Sequence, residues 1–252
     1  MGNKTALITG SSKRIGKSIA LSLAKKGYNI AIHYNKSKIE AEKVVNEIKF
    51  LGVNAKSFKL NLEDINKVKF FFNSVTKYFD SVDLLINNAS IFEYDSLSSS
   101  TIKSVDQHLN VNFKAPFFLI KFFVEQLGKK NGDIINIIDQ RVLNITPYFT
   151  SYTISKSALY TLTKSLALSL APKVKVNAIA PGPTLKSKRQ TEKEFRNQIA
   201  RTPLKNQVQL SEINKAIDLL INNKSITGQL ISLDSGQNLG WAHTKSKKFI
   251  DD

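Results

Sequence analysis

Short apolar runs alternate along this chain with longer stretches whose apolar positions recur at helical spacing. The runs Thr5–Thr9, Asn29–His33, Ala55–Leu60, Leu84–Asn87, Asp133–Ile138, Lys175–Ala180 and Gln229–Leu233 predict strands. Stretches near 15–27, 38–51, 64–79, 101–128, 151–170 and 211–222 predict helices. The strand runs are nearly continuous in apolar side chains, as in Ile134-Ile135-Asn136-Ile137-Ile138. A strand needs such a run when helices cover both faces of its sheet. Regular alternation implies right-handed crossovers and a parallel sheet. The expectation is one α/β domain over 1–252, a doubly wound seven-stranded parallel sheet with helices on both faces. No internal repeat or linker divides it. The longest stretch without a clear element is 181–210, opened by Pro181-Gly182-Pro183. It is basic and polar, and loops of that length are commonly lids or binding loops.

Composition narrows the classes. With 252 residues, 42% of them hydrophobic, the chain can bury one large core. No stretch approaches the roughly 20 apolar residues of a membrane span, so no membrane partner is expected. Met1-Gly2-Asn3-Lys4-Thr5 runs straight into a strand, so no signal peptide is expected. There are no cysteines, which excludes disulfides, cysteine zinc sites and thiol catalysis and suits a reducing cytoplasm. The net charge of +17 would fit an anionic partner, but the lysines are scattered and no basic low-complexity tail or stacking aromatics accompany them. Biased composition is the better reading, and no nucleic-acid partner is expected. His33 and His108 stand alone, and no His/Asp/Glu cluster has metal spacing, so no metal is expected. The phenylalanines 70–72, 117–118 and 122–123 read as core and subunit-contact packing. Arg141 and Trp241 read as surface or interface packing, and Lys245-Ser246-Lys247-Lys248 as a solvated end.

After the first strand comes Thr9-Gly10-Ser11-Ser12-Lys13-Arg14-Ile15-Gly16, opening a helix. A glycine turn at a strand–helix junction lets a pyrophosphate sit against backbone N–H groups at the helix N-terminus. Arg14 adds a cation there. The second strand ends His33-Tyr34-Asn35-Lys36-Ser37, with no acid before Glu40. A dinucleotide protein selective for NAD usually carries an acid here for the ribose hydroxyls. Lys36 and Ser37 instead suit a 2′-phosphate, so NADPH is the expected cofactor. Asn88, Ala89 and Ser90 suit a backbone passing close under it, and Asn61 with Leu62 would meet the adenine.

The second centre is Tyr152-Thr153-Ile154-Ser155-Lys156, with Asp139 thirteen residues before Tyr152. Tyr-x-x-x-Lys on a helix puts both side chains on one face. The ammonium is then expected to favour ionisation of the phenol, making it a proton donor near neutral pH.

Thr9-Gly10…Gly16, Asn87-Asn88-Ala89, Asn112, Tyr152…Lys156 and Pro181-Gly182 together resemble the short-chain dehydrogenase/reductase family, over essentially the whole chain. The resemblance implies a Rossmann fold, a homotetramer with its dimer contact on helices 101–128 and 151–170, and a catalytic set on Asn112, Tyr152 and Lys156. It also implies cofactor contacts at Gly10, Ser12, Arg14, Ile15, Gly16, His33, Tyr34, Tyr152, Lys156, Pro181 and Gly182. The family's usual Ser is Asp139 here. Arg14, His33-Tyr34…Ser37, Asn88-Ala89-Ser90 and Asp139 are similar to the pteridine reductases and the related dihydromonapterin or alternative dihydrofolate reductases. In that branch Phe92 would stack on a pterin, and Arg14, Asp139 and Tyr152 would also meet the substrate. Two positions depart from the branch: Lys36 replaces an Arg, and Asn61 replaces an Asp. Asn112 would orient Lys156 through a water.

Asp139 bears on what is reduced. A ketone reductase stabilises a developing alkoxide with neutral or cationic donors, and a carboxylate at the Ser position would repel that oxyanion. Hydride addition to C=N proceeds best on a protonated nitrogen, whose positive charge a carboxylate stabilises. The reading is therefore an NADPH-dependent reductase of a pterin or dihydrofolate C=N bond. The alternatives are a carbonyl reductase of 3-oxoacyl thioesters or sugar ketones, and a non-enzymatic NADP-binding sensor or nucleic-acid binder.

Overall fold

Apolar side chains on both faces of each inner strand leave a parallel sheet with no wet side. The computed structural model describes residues 3–240, so Trp241 and the lysines at 245–248 lie outside the described residues. Seven strands form one parallel sheet in the order β3-β2-β1-β4-β5-β6-β7. They are β1 (Thr5–Ile8), β2 (Asn29–Tyr34), β3 (Ala55–Lys59), β4 (Leu84–Asn87), β5 (Gly132–Ile137), β6 (Val174–Pro181) and β7 (Leu230–Leu233). On one face Ala6, Ile8, Ile30, Ile32, Leu84 and Ile86 pack against α1 (Arg14–Ala24), α2 (Lys38–Phe50) and α8 (Leu210–Asn222). On the other Leu7, Ala31, Leu85, Ile134 and Val176 pack against α3 (Val68–Phe79), α5 (Ala115–Leu127) and α6 (Thr150–Leu170). The in-and-out partners alternate residue by residue, as the strand period of two requires.

Of the phenylalanines at 70–72, 117–118 and 122–123, Phe71, Phe72 and Phe123 are buried in this second core, whereas Phe70 is exposed. The asparagines inside β4 and β5 are linked side chain to side chain, with Asn87 Oδ1 left without a partner. Asn87 Nδ2 donates to Asn136 Oδ1 at 2.9 Å, and Asn136 Nδ2 donates to Thr163 Oγ1 at 2.9 Å. This buried chain fixes α6 over the middle of the sheet, since each orphaned amide would cost about 1–3 kcal/mol.

Two expectations are corrected. The helix over 101–128 is not continuous. It divides into α4 (Ile102–Leu109), a π-helical turn (Asn110–Lys114) and α5. Such widened turns accommodate a side chain that ordinary pitch would aim elsewhere, and here that side chain is Asn112. The stretch 181–210 contains a helix, α7 (Glu192–Ala200). Its signal was in the sequence as a capping box: Thr191 Oγ1 accepts from Glu194 N, and Glu194 Oε2 accepts from Thr191 N.

His33 joins three strand ends. Gly10 N donates to its Nδ1 at 2.9 Å, and its Nε2 lies 3.0 Å from Leu60 O. The carbonyl only accepts, so Nε2 carries the proton and the ring is neutral. Burial pushes this imidazole down from 6.5 to about 4. The unfolded chain takes up a proton near pH 6.5 and the folded chain only near 4, so stability is lost as pH falls through that window. The shift amounts to about 3 kcal/mol between the two limits. Urea unfolding midpoints taken from pH 7 to pH 4 are expected to fall more steeply for the natural chain than for His33→Asn. Parallel slopes would refute the assignment.

Candidate active site

The glycine turn after β1 is held by its neighbours. Thr9 Oγ1 accepts from Asn88 N at 2.9 Å and from Ala89 N at 3.0 Å, and Asn88 Nδ2 donates to Thr9 O at 2.8 Å. Gly10 has φ +65, and a Cβ there would stand 3.0 Å from Ala89 Cα. A Cβ on Gly16 would stand 2.4 Å from Gly10 O. Only glycine permits this close turn. No side chain caps the start of α1, and its first turn carries no acid. Its N–H groups therefore face an open cleft with the favourable end of the helix dipole.

That cleft gathers Gly10, Ser12, Arg14, Ile15, Gly16, His33, Tyr34, Asn61, Leu62, Asn88, Ala89 and Ser90. His33 borders it, but both ring nitrogens are spent on the backbone. A second hollow continues past Tyr34 and Asn61 and is lined by Asn35, Lys36, Lys38 and Lys59. Ser37 stands beside it as the residue before α2, with no capping hydrogen bond. Lys38 and Lys59 were missed in the sequence. The signal for Lys59 lay in the strand register, which pairs it with Tyr34.

Arg14 lines the cleft and is also engaged beyond it. It has φ +53, and its guanidinium donates to Lys186 O at 3.0 Å and Leu185 O at 3.1 Å. The fork is committed to the stretch after β6 rather than turned wholly to the glycine turn. Pro181 and Gly182 lie outside the residues lining the cleft. Gly182 N donates to Leu233 O at 2.8 Å, and a Cβ on Gly182 would stand 2.6 Å from Asp234 Cα, so this pair closes β6 against β7.

The structure brings Asp139, Tyr152 and Lys156 together. The phenol of Tyr152 donates to Asp139 Oδ2 at 2.8 Å, while Asp139 Oδ1 accepts from Arg141 N at 2.9 Å. Lys156 is fully buried and donates to Ile137 O at 2.9 Å. Its Nζ lies 5.9 Å from the Tyr152 ring centroid. Burial raises the Asp139 carboxyl above the usual carboxylate range, against the pull of Arg141, Tyr152 and Lys156. Burial also lowers Lys156 from 10.5 to about 8, against the pull of Asp139.

The expected easing of phenol ionisation is reversed. Burial first, and the Asp139 carboxylate next, raise Tyr152 well above 10. A phenol already donating to a carboxylate gains nothing by ionising beside it. Arg141 and the Ser90 hydroxyl oppose this shift without overcoming it.

None of the Asn112 side-chain hydrogen bonds goes directly to Lys156. Its Oδ1 accepts from Ile91 N at 2.9 Å and from Ser90 Oγ at 3.1 Å. Its Nδ2 donates to Ile91 O at 3.0 Å and to Ser155 Oγ at 3.0 Å. The π-helical turn thus aims this amide to lock the end of the cleft to α6.

Phe92 lies beside the pair. Its ring stacks on Phe149 at 4.5 Å between centroids and 6° between planes, and meets Tyr152 edge-on at 4.7 Å. Arg141 lies over Phe149 at 4.8 Å and also bonds Thr146 Oγ1, so it belongs to the site rather than to the outer surface. His108 is not isolated either, being buried against Ser151 with Nδ1 2.8 Å from Oγ. Glu93 pairs with Arg189, tying the Phe92 segment to the stretch before α7. No group of three or more His, Cys, Asp or Glu arranged for a metal occurs among the described residues.

Residues 4–197 match the family model for the short chain dehydrogenases. A 3-oxoacyl-[acyl-carrier-protein] reductase, FabG, of Staphylococcus aureus is 36% identical over 239 residues, covering 92% of this chain and 97% of that protein. The FolM alternative dihydrofolate reductase 1 of Brucella suis, solved with NADP, superposes with a TM-score of 0.92 at 40% identity. The match covers 96% of this chain and 98% of that one. A short chain dehydrogenase of Burkholderia cenocepacia, also solved with NADP, superposes at 0.88 and 29% identity, covering 95% and 99%. The parallel sheet, the glycine turn and the Tyr152–Lys156 pair therefore have one source: the chain belongs to the short-chain dehydrogenase family of oxidoreductases.

Proposed function

We propose that the chain is an NADPH-dependent reductase acting on a C=N bond of a pterin or dihydrofolate-type substrate. The observation that carries the proposal is the hydrogen bond from Tyr152 to Asp139. A ketone would need that phenolic proton for its developing oxyanion, with a carboxylate at 2.8 Å repelling the same charge. A protonated ring nitrogen meets the opposite situation, since the carboxylate offsets its charge and its N–H can donate to a carboxylate or phenol oxygen. The likeness to FolM of Brucella suis supports this reading. The likeness to FabG of Staphylococcus aureus favours a second one, reduction of a 3-oxoacyl thioester, which Asp139 opposes.

The cofactor is NADP(H), and the residues present fit it. The close glycine turn and the uncapped start of α1 suit a pyrophosphate, and the hollow with Lys36, Lys38 and Lys59 suits a 2′-phosphate. When bound, the nicotinamide supplies the hydride. Tyr152 and Asp139 hold the proton that the ring nitrogen takes up, and a carboxyl raised above its usual range carries that proton closer to neutral pH. Lys156 keeps a positive charge beneath the pair. Phe92 offers a face for the ring, a contact worth about 1 kcal/mol beyond its buried area. A homotetramer fits the reading, with exposed Phe117, Ile154 and Leu168 available for contact on α5 and α6.

NADPH oxidation followed with dihydrofolate, dihydromonapterin, dihydrobiopterin and an acetoacetyl thioester is expected to show turnover with the pterins. Turnover confined to the thioester would overturn the proposal. Asp139→Ser is expected to lower pterin reduction roughly 100-fold, and to lower any thioester reduction less. Lys36→Asp combined with Ser37→Ala is expected to lower the NADPH-to-NADH ratio of kcat/KM by at least about tenfold, the loss of one charge-assisted contact. An unmoved ratio would place the 2′-phosphate elsewhere. Loss of the Lys156 charge is expected to lower kcat/KM as pH rises through about 8. A profile flat across that range would remove Lys156 from the proton balance.

A further inference from the structure

Helix α6, which carries Tyr152, begins without a cap of its own. The residue before it, Phe149, sits in the left-handed region at φ 58 and ψ 45 and makes no side-chain cap. The first turn carries no acid. The cap comes from elsewhere in the chain. Asp95 Oδ1 accepts from Ser151 N at 3.1 Å, and Asp95 Oδ2 accepts from the Ser151 hydroxyl. The Asp95 carbonyl accepts from Phe149 N at 2.7 Å and from Thr150 N at 3.4 Å. One residue of the 90–95 segment thereby satisfies three N–H groups at the start of α6, and its negative charge faces the positive end of the helix dipole.

Asp95 is itself held in place. Asp95, Ser151 and His108 are all buried. His108 Nε2 accepts from Glu93 N at 3.3 Å, which leaves Nδ1 as the donor. Nδ1 lies 2.8 Å from Ser151 Oγ and 2.9 Å from Ser104 O. The Ser151 hydroxyl cannot donate to a protonated Nδ1, so its proton goes to Asp95, while its oxygen and Ser104 O share the Nδ1 proton. The result is a hydrogen-bonded chain from α4 through His108 and Ser151 to Asp95.

We infer that Asp95 is a positioning residue for proton transfer. It acts through the first turn of α6 to set Tyr152, and it couples that placement to the Phe92 segment three residues before it. Ser151 is the neighbour of Tyr152 in the chain, and Phe92 touches both Phe149 and the Tyr152 ring. A ring that presses on Phe92 therefore loads the same segment that caps the catalytic helix. The inference rests on the proton-holding role of Tyr152 and on no particular substrate.

The test is a double-mutant cycle of Asp95→Ala with Tyr152→Phe, run with whichever panel substrate the natural chain turns over. NADPH affinity is read separately by fluorescence titration. Asp95→Ala is expected to lower kcat roughly 10- to 100-fold, the scale of a misplacement near 1 Å. NADPH affinity should stay within about twofold of the natural chain, since Asp95 lies away from the cofactor cleft. In the Tyr152→Phe background Asp95→Ala is expected to cost almost nothing further, because both changes act on one group. Asp95→Asn keeps the shape and one acceptor, and is expected to recover part of the loss. It also serves as the test variant if the alanine chain does not fold. Full kcat in both Asp95 variants beside an impaired Tyr152→Phe would overturn the Asp95 inference alone. An Asp95 loss of equal size in both backgrounds would make Asp95 merely structural. Full kcat in Tyr152→Phe would overturn the Tyr152 role and this inference with it.

Discussion

A parallel sheet covered on both faces leaves its polar atoms nowhere to go except to one another or to the strand ends. That constraint governs the rest of the molecule. Within the sheet, Asn87, Asn136 and Thr163 hydrogen-bond in sequence and thereby fix α6 over β5. At the strand ends the same demand gathers the functional groups. Thr9 and Asn88 close the glycine turn, Ile137 O receives the buried Lys156 ammonium, and Asp139 meets Tyr152 where β5 gives out. The position of the site thus follows from burial before any reaction is considered.

Much of this was legible in the chain. The strands and their alternation with helices could be read because each inner strand is apolar on both sides, and the glycine turn could be read because Gly10 and Gly16 stand at a strand–helix junction. Less legible were features that arise from contacts distant in sequence. Nothing local in Phe149-Thr150-Ser151 shows that Asp95 completes the helix start. His108 looked isolated because its partners, Ser151 and Glu93, belong to other segments. Arg141 likewise looked peripheral until β5 and the turn after it placed it over Phe149. The helix at 192–200 is a different kind of miss, since its capping box was present but lay within a polar stretch that offered little apolar period.

The behaviour of Tyr152 shows why a motif and its electrostatics have to be weighed separately. Tyr-x-x-x-Lys suggests a phenol eased toward ionisation by a cation. In this chain the nearer charge is Asp139, at hydrogen-bond distance, whereas Lys156 is turned to a backbone carbonyl and is itself weakened by burial. The proton stays on the phenol, while burial raises the proton affinity of the Asp139 carboxyl and lowers that of Lys156. Similarity to both FabG and FolM over nearly the full length cannot separate two chemistries that share a scaffold. The proposed distinction turns on one side chain, Asp139, just past the end of β5.

The π-helical turn at Asn110–Lys114 carries a consequence for how this fold can vary. A turn of that kind is an α-helix holding one residue more than its pitch requires, with the surplus absorbed locally. The apolar faces of α4 and α5 on either side stay in phase with their neighbours. Deleting a single residue from the turn would restore ordinary pitch and keep both faces in place, while Asn112 would swing off Ile91 and Ser155. Helix phase and the placement of Asn112 are therefore separable in this helix, and a chain one residue shorter could inherit the first without the second.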